Sequence, residues 1–265
     1  MNTDLQGSHV FITGASGGIG LVTAKLFLEE GANVTLHYNS QGSAFDTLMQ
    51  EFPEQTFAIQ ADVRSEDAVI QSVREAVEHF GRINTIIINH GIWLENPAPL
   101  WEMTLEQWNM TIEIDLTGAF LYAREYLRQL RGIDPQSKNN SIIFVGSTAG
   151  RFGEADHADY STAKAGLMVG MTRSLKNEII RLHPRARVNS VMPGWVHTPM
   201  AEEALKDEKV VKKVTSTMAL QKVATPEDIG HSLVFLASEK VAGHITGDIM
   251  ELAGGMEGRL LHAFD

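Results

Sequence analysis

The 265-residue chain contains no cysteine, which excludes disulfide bonds, thiol nucleophiles and cysteine-ligated metals, and we expect no metal site. Aromatic residues make up only 7% of the chain, whereas 43% hydrophobic residues suit a globular core and argue against disorder. Basic residues are also scarce, since 22 Lys and Arg oppose 33 Asp and Glu to give a formal charge of −11. A surface of this sign repels nucleic acid and anionic membranes, so we expect neither as a partner.

Long apolar runs are absent as well. No segment approaches the roughly 20 consecutive apolar residues of a membrane span. The first seven residues, MNTDLQG, lack the basic and apolar regions of a signal peptide. We therefore expect a soluble, cytoplasmic protein.

Short apolar segments alternate with helical patterns along the whole chain. Seven segments have the composition of buried strands: 9–13, 34–38, 56–60, 85–88, 141–145, 188–191 and 248–252. Strands that alternate with helices predict an α/β fold with a Rossmann-like, doubly wound parallel sheet and helices on both faces. No linker or repeat interrupts the pattern, so we predict one domain over residues 1–265.

Four helices have particular sequence signals. In the first, Ile19, Val22 and Leu26 mark one face, and the helix is predicted to stop at Gly31. Longer helices are predicted from 104 towards 131, opened by a Thr104/Gln107 capping box, and from 160 to about 182. The sequence Thr-Pro-Glu-Asp at 225–228 predicts a fourth helix start, with Pro at the first position.

A glycine-rich turn, residues 13–20 (TGASGGIG), separates the first strand from the first helix. Glycines let the backbone approach a pyrophosphate, and a helix N-terminus offers free N–H groups and the positive end of its dipole. A tight strand-to-helix turn without any ligand would have the same composition, so the turn alone does not decide between the two interpretations.

Tyr160 and Lys164 are four residues apart on a predicted helix, and Ser147 lies thirteen residues before Tyr160. Positions i and i+4 share one helix face, and a nearby ammonium favours the phenolate, which makes the pair a candidate acid/base unit. Taken singly, Ser147 is also consistent with a residue at a strand end, Tyr160 with a half-buried aromatic residue, and Lys164 with a solvated charge.

The turn and the Tyr/Lys pair together resemble the short-chain dehydrogenase/reductase family. Other motifs similar to those of that family follow in order: Asp62-Val63, Asn89-His90-Gly91, the P-G-x-x-x-T segment 193–198, and 226–228, 235–238 and 245–247 near the C-terminus. The resemblance covers almost the whole chain, and the ordered set is specific although each motif alone is not.

The resemblance implies an NAD(P)-dependent oxidoreductase and the positions of its cofactor contacts. Residues implied at the pyrophosphate are Gly14, Ser16, Gly18, Ile19 and Gly20. Asp62 and Val63 would meet the adenine, and Asn89 and Gly91 would border the riboses. The nicotinamide would lie against Pro193, Gly194, Val196 and Thr198, although Thr198 also suits a helix N-cap.

The end of the second strand bears on the choice of cofactor. An acidic residue there would bind the adenosine 2′-hydroxyl of NAD and repel the phosphate of NADP. This chain has Tyr38, Asn39 and Ser40 instead, a pattern that resembles NADP-using members of the family. Against NADP, Gly17 stands where such relatives often have a basic residue. We expect NADP, with NAD as the alternative.

The family mechanism implies a role for each member of the Ser/Tyr/Lys set. Tyr160 would protonate the substrate oxygen, Ser147 would fix and polarise the carbonyl, and Lys164 would lower the pKa of Tyr160 and bind the nicotinamide ribose. Asp115 stands where the family usually has Asn, and it retains an acceptor oxygen but lacks the amide donor. His90 replaces the usual Ala, with an expected role as a space-filler near the adenosine.

Substrate choice is expected from loops beyond the strand ends. Candidates are Trp93, the loop 152–154 with Phe152, and His157, Trp195 and Met200. Two tryptophans and a methionine indicate a sizeable apolar or aromatic substrate, although either tryptophan would also suit a subunit contact. The segment 195–218, helical from 201, is the expected substrate lid.

The expected reaction is the NADPH-dependent reduction of a small-molecule ketone to a secondary alcohol. Alternatives are an NAD-linked alcohol or polyol dehydrogenase, a 3-oxoacyl-carrier-protein reductase, and a catalytically silent dinucleotide-binding scaffold. The resemblance also implies a homotetramer, because the helices near 104–131 and 160–182 pair between subunits in relatives.

Overall fold

The structure, a computed structural model, describes residues 2–40, 42–94 and 97–257. Its strands are β1 (His9–Thr13), β2 (Asn33–Tyr38), β3 (Thr56–Gln60), β4 (Thr85–Ile88), β5 (Ser141–Val145), β6 (Arg187–Pro193) and β7 (Ile249–Leu252). They pair in parallel in the order β3-β2-β1-β4-β5-β6-β7, which confirms the predicted sheet. The order reverses between β1 and β4, and ligands of such sheets bind beyond the strand ends at this reversal.

Helices cover both faces of the sheet. They are α1 (Gly18–Glu29), α2 (Asp46–Glu51), α3 (Glu66–Phe80), α4 (Leu105–Thr111), α5 (Ala119–Gln129), α6 (Ala149–Phe152), α7 (Ala158–Ala165), α8 (Thr172–Ile179), α9 (Glu202–Leu205), α10 (Glu208–Thr215), α11 (Pro226–Ala237) and α12 (Glu239–Ala242). A 3₁₀ turn, Gly42–Phe45, leads into α2. The π-helical turns Ile112–Gly118 and Gly166–Met171 join α4 to α5 and α7 to α8.

Two apolar cores hold these layers together. One core packs Phe27 of α1 and Leu233 of α11 against the sheet. The other packs Val73 of α3 and Tyr126 of α5 against the opposite face. Because both faces are covered, the central strands are buried along their length, and β5 is apolar at every position after Ser141.

The predicted apolar face of α1 is half-buried, and Ile19 and Leu26 pack against the core. Its buried residues include Thr23, Ala24 and Phe27, whereas Ile19, Val22 and Leu26 are only half-buried. A neighbouring helix is the reason. A Cβ added to Gly230 of α11 would lie 2.7 Å from Leu26 Cδ1, so this face of α1 packs on α11 rather than on the sheet.

The predicted helix starts are largely present. The Thr225 hydroxyl accepts the Asp228 N–H at 3.3 Å and the Asp228 carboxylate accepts the Thr225 N–H at 2.9 Å, which completes a capping box. Thr104 makes only half of its predicted box. Its hydroxyl accepts the Gln107 N–H, but the Gln107 amide reaches Asp159 instead.

The segment predicted as a helical lid contains two short helices, α9 and α10. The Asp207 carboxylate accepts the Lys209 N–H at 2.8 Å, which starts α10 and separates it from α9. Across the described part of the chain, none of the helices is both long and apolar enough to cross a membrane.

Candidate active site

A cavity of about 680 Å³ opens beyond the carboxyl ends of the strands. The predicted site residues that line it are Gly14, Ser16, Gly18, Ile19, Asn39, Ser40, Asp62, Val63, Asn89, Gly91, Trp93, Ser147, Tyr160, Lys164, Pro193, Gly194, Trp195, Val196, Thr198 and Met200. Segments that follow six different strands therefore meet at one place, as the topology of a doubly wound sheet requires.

Five predicted site residues do not line the cavity: Gly20, Tyr38, Asp115, Phe152 and His157. A Cβ at Gly20 would lie 2.4 Å from a backbone oxygen of the glycine-rich turn, so this glycine serves the packing of α1. The Phe152 ring lies under the guanidinium of the preceding residue, at 5.2 Å.

Tyr38 also faces away from the cavity. Its ring meets the ring of Phe45 edge-on, with 5.7 Å between centroids, and a Cβ at Gly42 would lie 2.9 Å from it. The 3₁₀ turn after β2 therefore holds the tyrosine side chain, and Asn39 and Ser40 are the residues that border the cavity from this strand.

The glycine-rich turn has the geometry of an anion cradle. Gly14 adopts a left-handed φ of 61°, and a Cβ there would lie 2.8 Å from His90 Cα, so no other residue fits without a shift. Helix α1 then begins at Gly18 with no side-chain cap and no acidic residue in its first turn. The free N–H groups and the positive end of the dipole at this start fit the pyrophosphate of a dinucleotide.

Two buried histidines hold this turn in place. The Gly14 N–H donates to Nδ1 of His37 at 3.2 Å, and Nε2 of His37 lies 3.0 Å from the Ala61 carbonyl at the end of β3. His90 Nδ1 lies 2.7 Å from the Thr13 hydroxyl. Burial lowers the pKa of His37 to about 4 and that of His90 to about 3, so both rings are neutral at pH 7.

An ion pair borders the cavity after β3. Arg64 Nη2 lies 2.6 Å from Asp62 Oδ2, and its Nε also donates to the carboxylate. The hydrogen bond from Arg64 lowers the pKa of Asp62. Arg64 therefore already compensates the Asp62 charge when a ligand occupies this end of the cavity.

The Ser/Tyr/Lys set converges on the opposite end of the cavity. Ser147 follows β5 by two residues, and its hydroxyl accepts the Ala149 N–H at 3.1 Å. Tyr160 and Lys164 lie on α7, with Lys164 Nζ 5.3 Å from the centroid of the Tyr160 ring. The two side chains thus share one helix face, as their spacing predicts.

Lys164 is paired with Asp115 behind the cavity wall. Nζ lies 3.4 Å from Asp115 Oδ2, while the Ile92 N–H donates to Oδ1 at 2.8 Å. A Cβ at Gly91 would lie 2.9 Å from Nζ and 3.0 Å from Oδ2, so glycine permits this packing. Asp115 stands in the first π-helical turn, and such turns are frequent at functional sites.

Burial and the charge of Lys164 shift the pKa of Tyr160 in opposite directions. Burial raises the pKa of Tyr160, and the charges of Asp115 and Glu154 add to it, whereas Lys164 and the Ser147 hydroxyl lower it by less in total. Burial lowers the pKa of Lys164, but Asp115 and Tyr160 together raise it above its ordinary value. Without other charges in the site, Lys164 is therefore firmly cationic and Tyr160 is a protonated phenol.

Aromatic side chains form the wall next to Tyr160. The Trp93 ring stacks on His157 with 3.7 Å between centroids and meets the Tyr160 ring edge-on at 4.9 Å. His157 thus supports Trp93 from behind. Trp195, Met200 and Glu154 border the cavity with it.

Comparisons with known proteins agree with this geometry. A family model described as "Enoyl-(Acyl carrier protein) reductase" matches residues 14–257. A 3-oxoacyl-[acyl-carrier-protein] reductase of Synechocystis is 32% identical, with 96% of this chain and 98% of the relative covered. The chain belongs to the short-chain dehydrogenase/reductase family. It is thus an NAD(P)-dependent oxidoreductase, which confirms the class predicted from the sequence.

Other short-chain dehydrogenases/reductases are similarly related. A cis-4-hydroxycyclohexanecarboxylate dehydrogenase of Sinomonas cyclohexanicum is 31% identical, with 93% of this chain and 94% of the relative covered. The solved structure of a glucose/ribitol dehydrogenase of this family from Brucella melitensis superposes with a TM-score of 0.85 at 32% identity. That alignment covers 96% of this chain and 98% of the other.

Several residues that border the cavity were not predicted from the sequence, among them His37 and Arg64. His37 lies inside β2, and no local pattern marks a strand histidine as a support for a turn on the neighbouring strand. Arg64 follows the Asp62-Val63 motif directly, so its closeness to the acidic residue was the available signal.

Proposed function

We propose that the protein reduces a ketone to a secondary alcohol with NADPH and that Tyr160 is the proton donor. The convergence of Ser147, Tyr160 and Lys164 on one end of a cavity whose other end is a glycine-rich anion cradle is the observation that carries this proposal. A cavity of about 680 Å³ has room for a small molecule beside a nucleotide.

The side chains divide the work by their chemistry. When bound, the reduced nicotinamide supplies the hydride. Tyr160, protonated at neutral pH, donates its phenolic proton to the substrate oxygen, and the Ser147 hydroxyl donates a hydrogen bond to the same oxygen. Lys164 stabilises the phenolate that remains, because its ammonium lies on the same helix face.

The cofactor would lie across the strand ends. Its pyrophosphate would be held by Gly14, Ser16, Gly18 and Ile19, and its nicotinamide half by the segment 193–198. NADP is favoured over NAD because Asn39 and Ser40 border the cavity without a carboxylate. The charge of Asp62 is compensated by Arg64, so it does not oppose a phosphate.

A Tyr160→Phe substitution tests the proposal. The variant should lose turnover with a panel of ketones by about 10²- to 10⁴-fold, because only the proton donor is removed. The dissociation constant for NADPH should change little, and calorimetry measures it. Turnover of NADPH by the wild type together with an equally active Tyr160→Phe variant would refute the role of the phenol.

Two alternative functions can be distinguished from ketone reduction by experiment. A 3-oxoacyl-carrier-protein reductase has support from relatives of that name, and assays with an acyl-carrier thioester separate it from a reductase of free ketones. A silent dinucleotide-binding scaffold would bind NADPH without consuming it with any substrate. The intact Ser147, Tyr160 and Lys164 set argues against that reading.

A homotetramer is also part of our proposal. Phe120 on α5, Val169 in the second π-helical turn and Ile180 just after α8 are apolar and exposed, on the two helical stretches that pair in relatives. Light scattering after gel filtration measures the assembly.

A further inference from the structure

Glu154 borders the cavity at the end that holds Tyr160. It stands between Ser147 and Tyr160 in sequence, in the loop after α6, where Gly153 adopts a left-handed φ of 75°. Glu154 and Tyr160 line the same cavity, and the charge of Glu154 contributes to raising the pKa of that phenol.

The backbone of Glu154 is fixed to the helix that carries the phenol. Its N–H donates to the Ser161 hydroxyl at 3.1 Å, and its carbonyl accepts the His157 N–H at 3.3 Å. Ser161 adjoins Tyr160 on α7. The backbone that carries the carboxylate is therefore held at a fixed position relative to the phenol, as a specificity-determining group requires.

The other charges at the cavity are already paired. Arg64 binds Asp62 at 2.6 Å, and Lys164 has Asp115 at 3.4 Å. Among the described residues, none makes a hydrogen bond or a close ion pair with the Glu154 carboxylate; Lys213 of α10 acts on it only through its longer-range charge. Glu154, which is half-buried, thus has carboxylate oxygens that are free to accept a hydrogen bond from a small molecule in this cavity.

We propose that Glu154 selects substrates that carry a hydrogen-bond donor, a hydroxyl or an ammonium group, beside the reacting carbonyl, and that it rejects carboxylates. This inference rests on the proposed ketone reduction at the same site. The donor would approach between Glu154 and the apolar walls of Trp93 and Trp195, so the substrate is a compact ring or short chain with a polar substituent rather than a plain acyl chain.

Physical chemistry supports this choice. Burial raises the pKa of Glu154, so an ionised carboxylate here lacks the hydration that it has in water. A donor from the substrate restores hydrogen bonds to it, and bonds to charged groups are the stronger kind. A second carboxylate would meet like charge, which is unfavourable.

Matched cyclohexanones test the inference. The probes are 4-methyl-, 4-hydroxy- and 4-aminocyclohexanone and 4-oxocyclohexanecarboxylate, and the readout is kcat/KM with NADPH. The wild type should prefer the hydroxy or amino ketone to the methyl ketone by about tenfold or more. A larger preference for the hydroxy ketone would indicate that the site selects a hydroxyl group. A larger preference for the amino ketone would indicate an ammonium group.

Two substitutions separate charge from hydrogen bonding. Glu154→Leu should bring the ratios of kcat/KM for the hydroxy and amino ketones over the methyl ketone to about one, since the acceptor for the donor group is removed. Glu154→Gln keeps an acceptor oxygen, so it should lose the amino preference and improve the carboxylate probe. Glu227→Gln on α11, an exposed residue that does not line the cavity, is the matched control and should behave as wild type.

Binding without turnover decides the inference independently. The four corresponding alcohols should quench the fluorescence of Trp93 and Trp195 with dissociation constants in the same order. An unchanged order in Glu154→Leu, in turnover or in binding, would overturn the inference. Ordered binding that depends on Glu154, with no NADPH consumption by the wild type, would instead overturn the proposed reaction and leave the recognition role standing.

Discussion

Lys164 and Asp115 form a buried ion pair, with 3.4 Å between Nζ and Oδ2 and at most 4% of either side chain exposed. The first lies on α7 and the second in the π-helical turn after α4, so the pair fixes two helical stretches to each other. Where the family usually has Asn, this chain has a carboxylate. The lysine that should favour the phenolate is therefore partly neutralised.

Asp115→Asn should move the pH profile of alcohol oxidation to lower pH. Burial does most to raise the pKa of Tyr160, and the Asp115 charge adds to it. Oxidation needs the phenolate as base, so its rate rises with pH through that pKa, and removal of the charge lowers the pKa. Initial rates of NADPH formation between pH 6 and 10 measure the shift.

Glu113→Gln is the control for this prediction. It removes the same charge two residues away, on the exposed side of the same π-helical turn, and should leave the profile in place. An Asp115→Asn profile that is unshifted, or that shifts to higher pH, would contradict the assigned electrostatic role.

Asn39→Asp should shift cofactor preference towards NADH. Asn39 borders the cavity, whereas the Tyr38 side chain packs on Phe45, so Asn39 is the better place for a carboxylate. Like charge should raise the ratio of the dissociation constants for NADPH and NADH by at least about tenfold. Titration with both nucleotides gives the ratio.

The same chemical change at Asn33 is its control. Asn33 begins β2, at the opposite end of the strand from the cavity, so Asn33→Asp should leave the nucleotide ratio unchanged. Equal ratios in Asn39→Asp and wild type would place the adenosine phosphate elsewhere.

Acid should destabilise the protein through its buried histidines. Burial lowers the pKa of His9 to about 4, as it does for His37, while that of His90 falls to about 3. The unfolded chain binds these protons near pH 6.5, and the folded chain does so only near pH 4 or below. The free energy of unfolding should therefore fall as pH drops from about 6.5 to about 4.

His9 isolates one share of this effect, because it lies at the start of β1, bonded to the Gly81 carbonyl and the Thr35 hydroxyl. In His9→Gln the loss of stability between pH 7 and pH 5 should be smaller by about 2 kcal/mol, as urea titrations would measure. Exposed His244 is the control, and His244→Gln should keep the wild-type difference. If His9→Gln lost as much stability between pH 7 and pH 5 as wild type does, folding would not lower the pKa of His9, and the prediction would be wrong.

The sheet was predictable because its strands carry signals that do not depend on distant contacts. β1, β3, β4 and β5 have the predicted bounds, and β2, β6 and β7 differ only at their ends. Burial on both faces makes the central strands short and mostly apolar, and glycine or asparagine follows β1, β2, β4, β5 and β6. The Thr225 capping box is equally local, since its two bonds join residues three apart.

Other features depend on contacts that no local pattern encodes. The sequence placed Tyr38 at the cofactor, but Phe45 in the following turn holds its ring elsewhere. The π-helical turns lack a recognised signal, and the one at 112–118 determines where Asp115 points. The spacing of Tyr160 and Lys164 predicts that the lysine lowers the pKa of the phenol, but the larger, opposing effect of burial depends on the surrounding fold.

The sheet order also bears on synthesis of the chain. β1 leaves the ribosome before β4, which is one of its two neighbours in the sheet and pairs Thr85–Ile88 with Val10–Thr13. Until β4 emerges, the nascent chain exposes one unpaired apolar edge of β1, the kind of edge that promotes aggregation. Fragments that end before residue 85 should therefore need a chaperone to stay dispersed, although they already contain the entire glycine-rich turn.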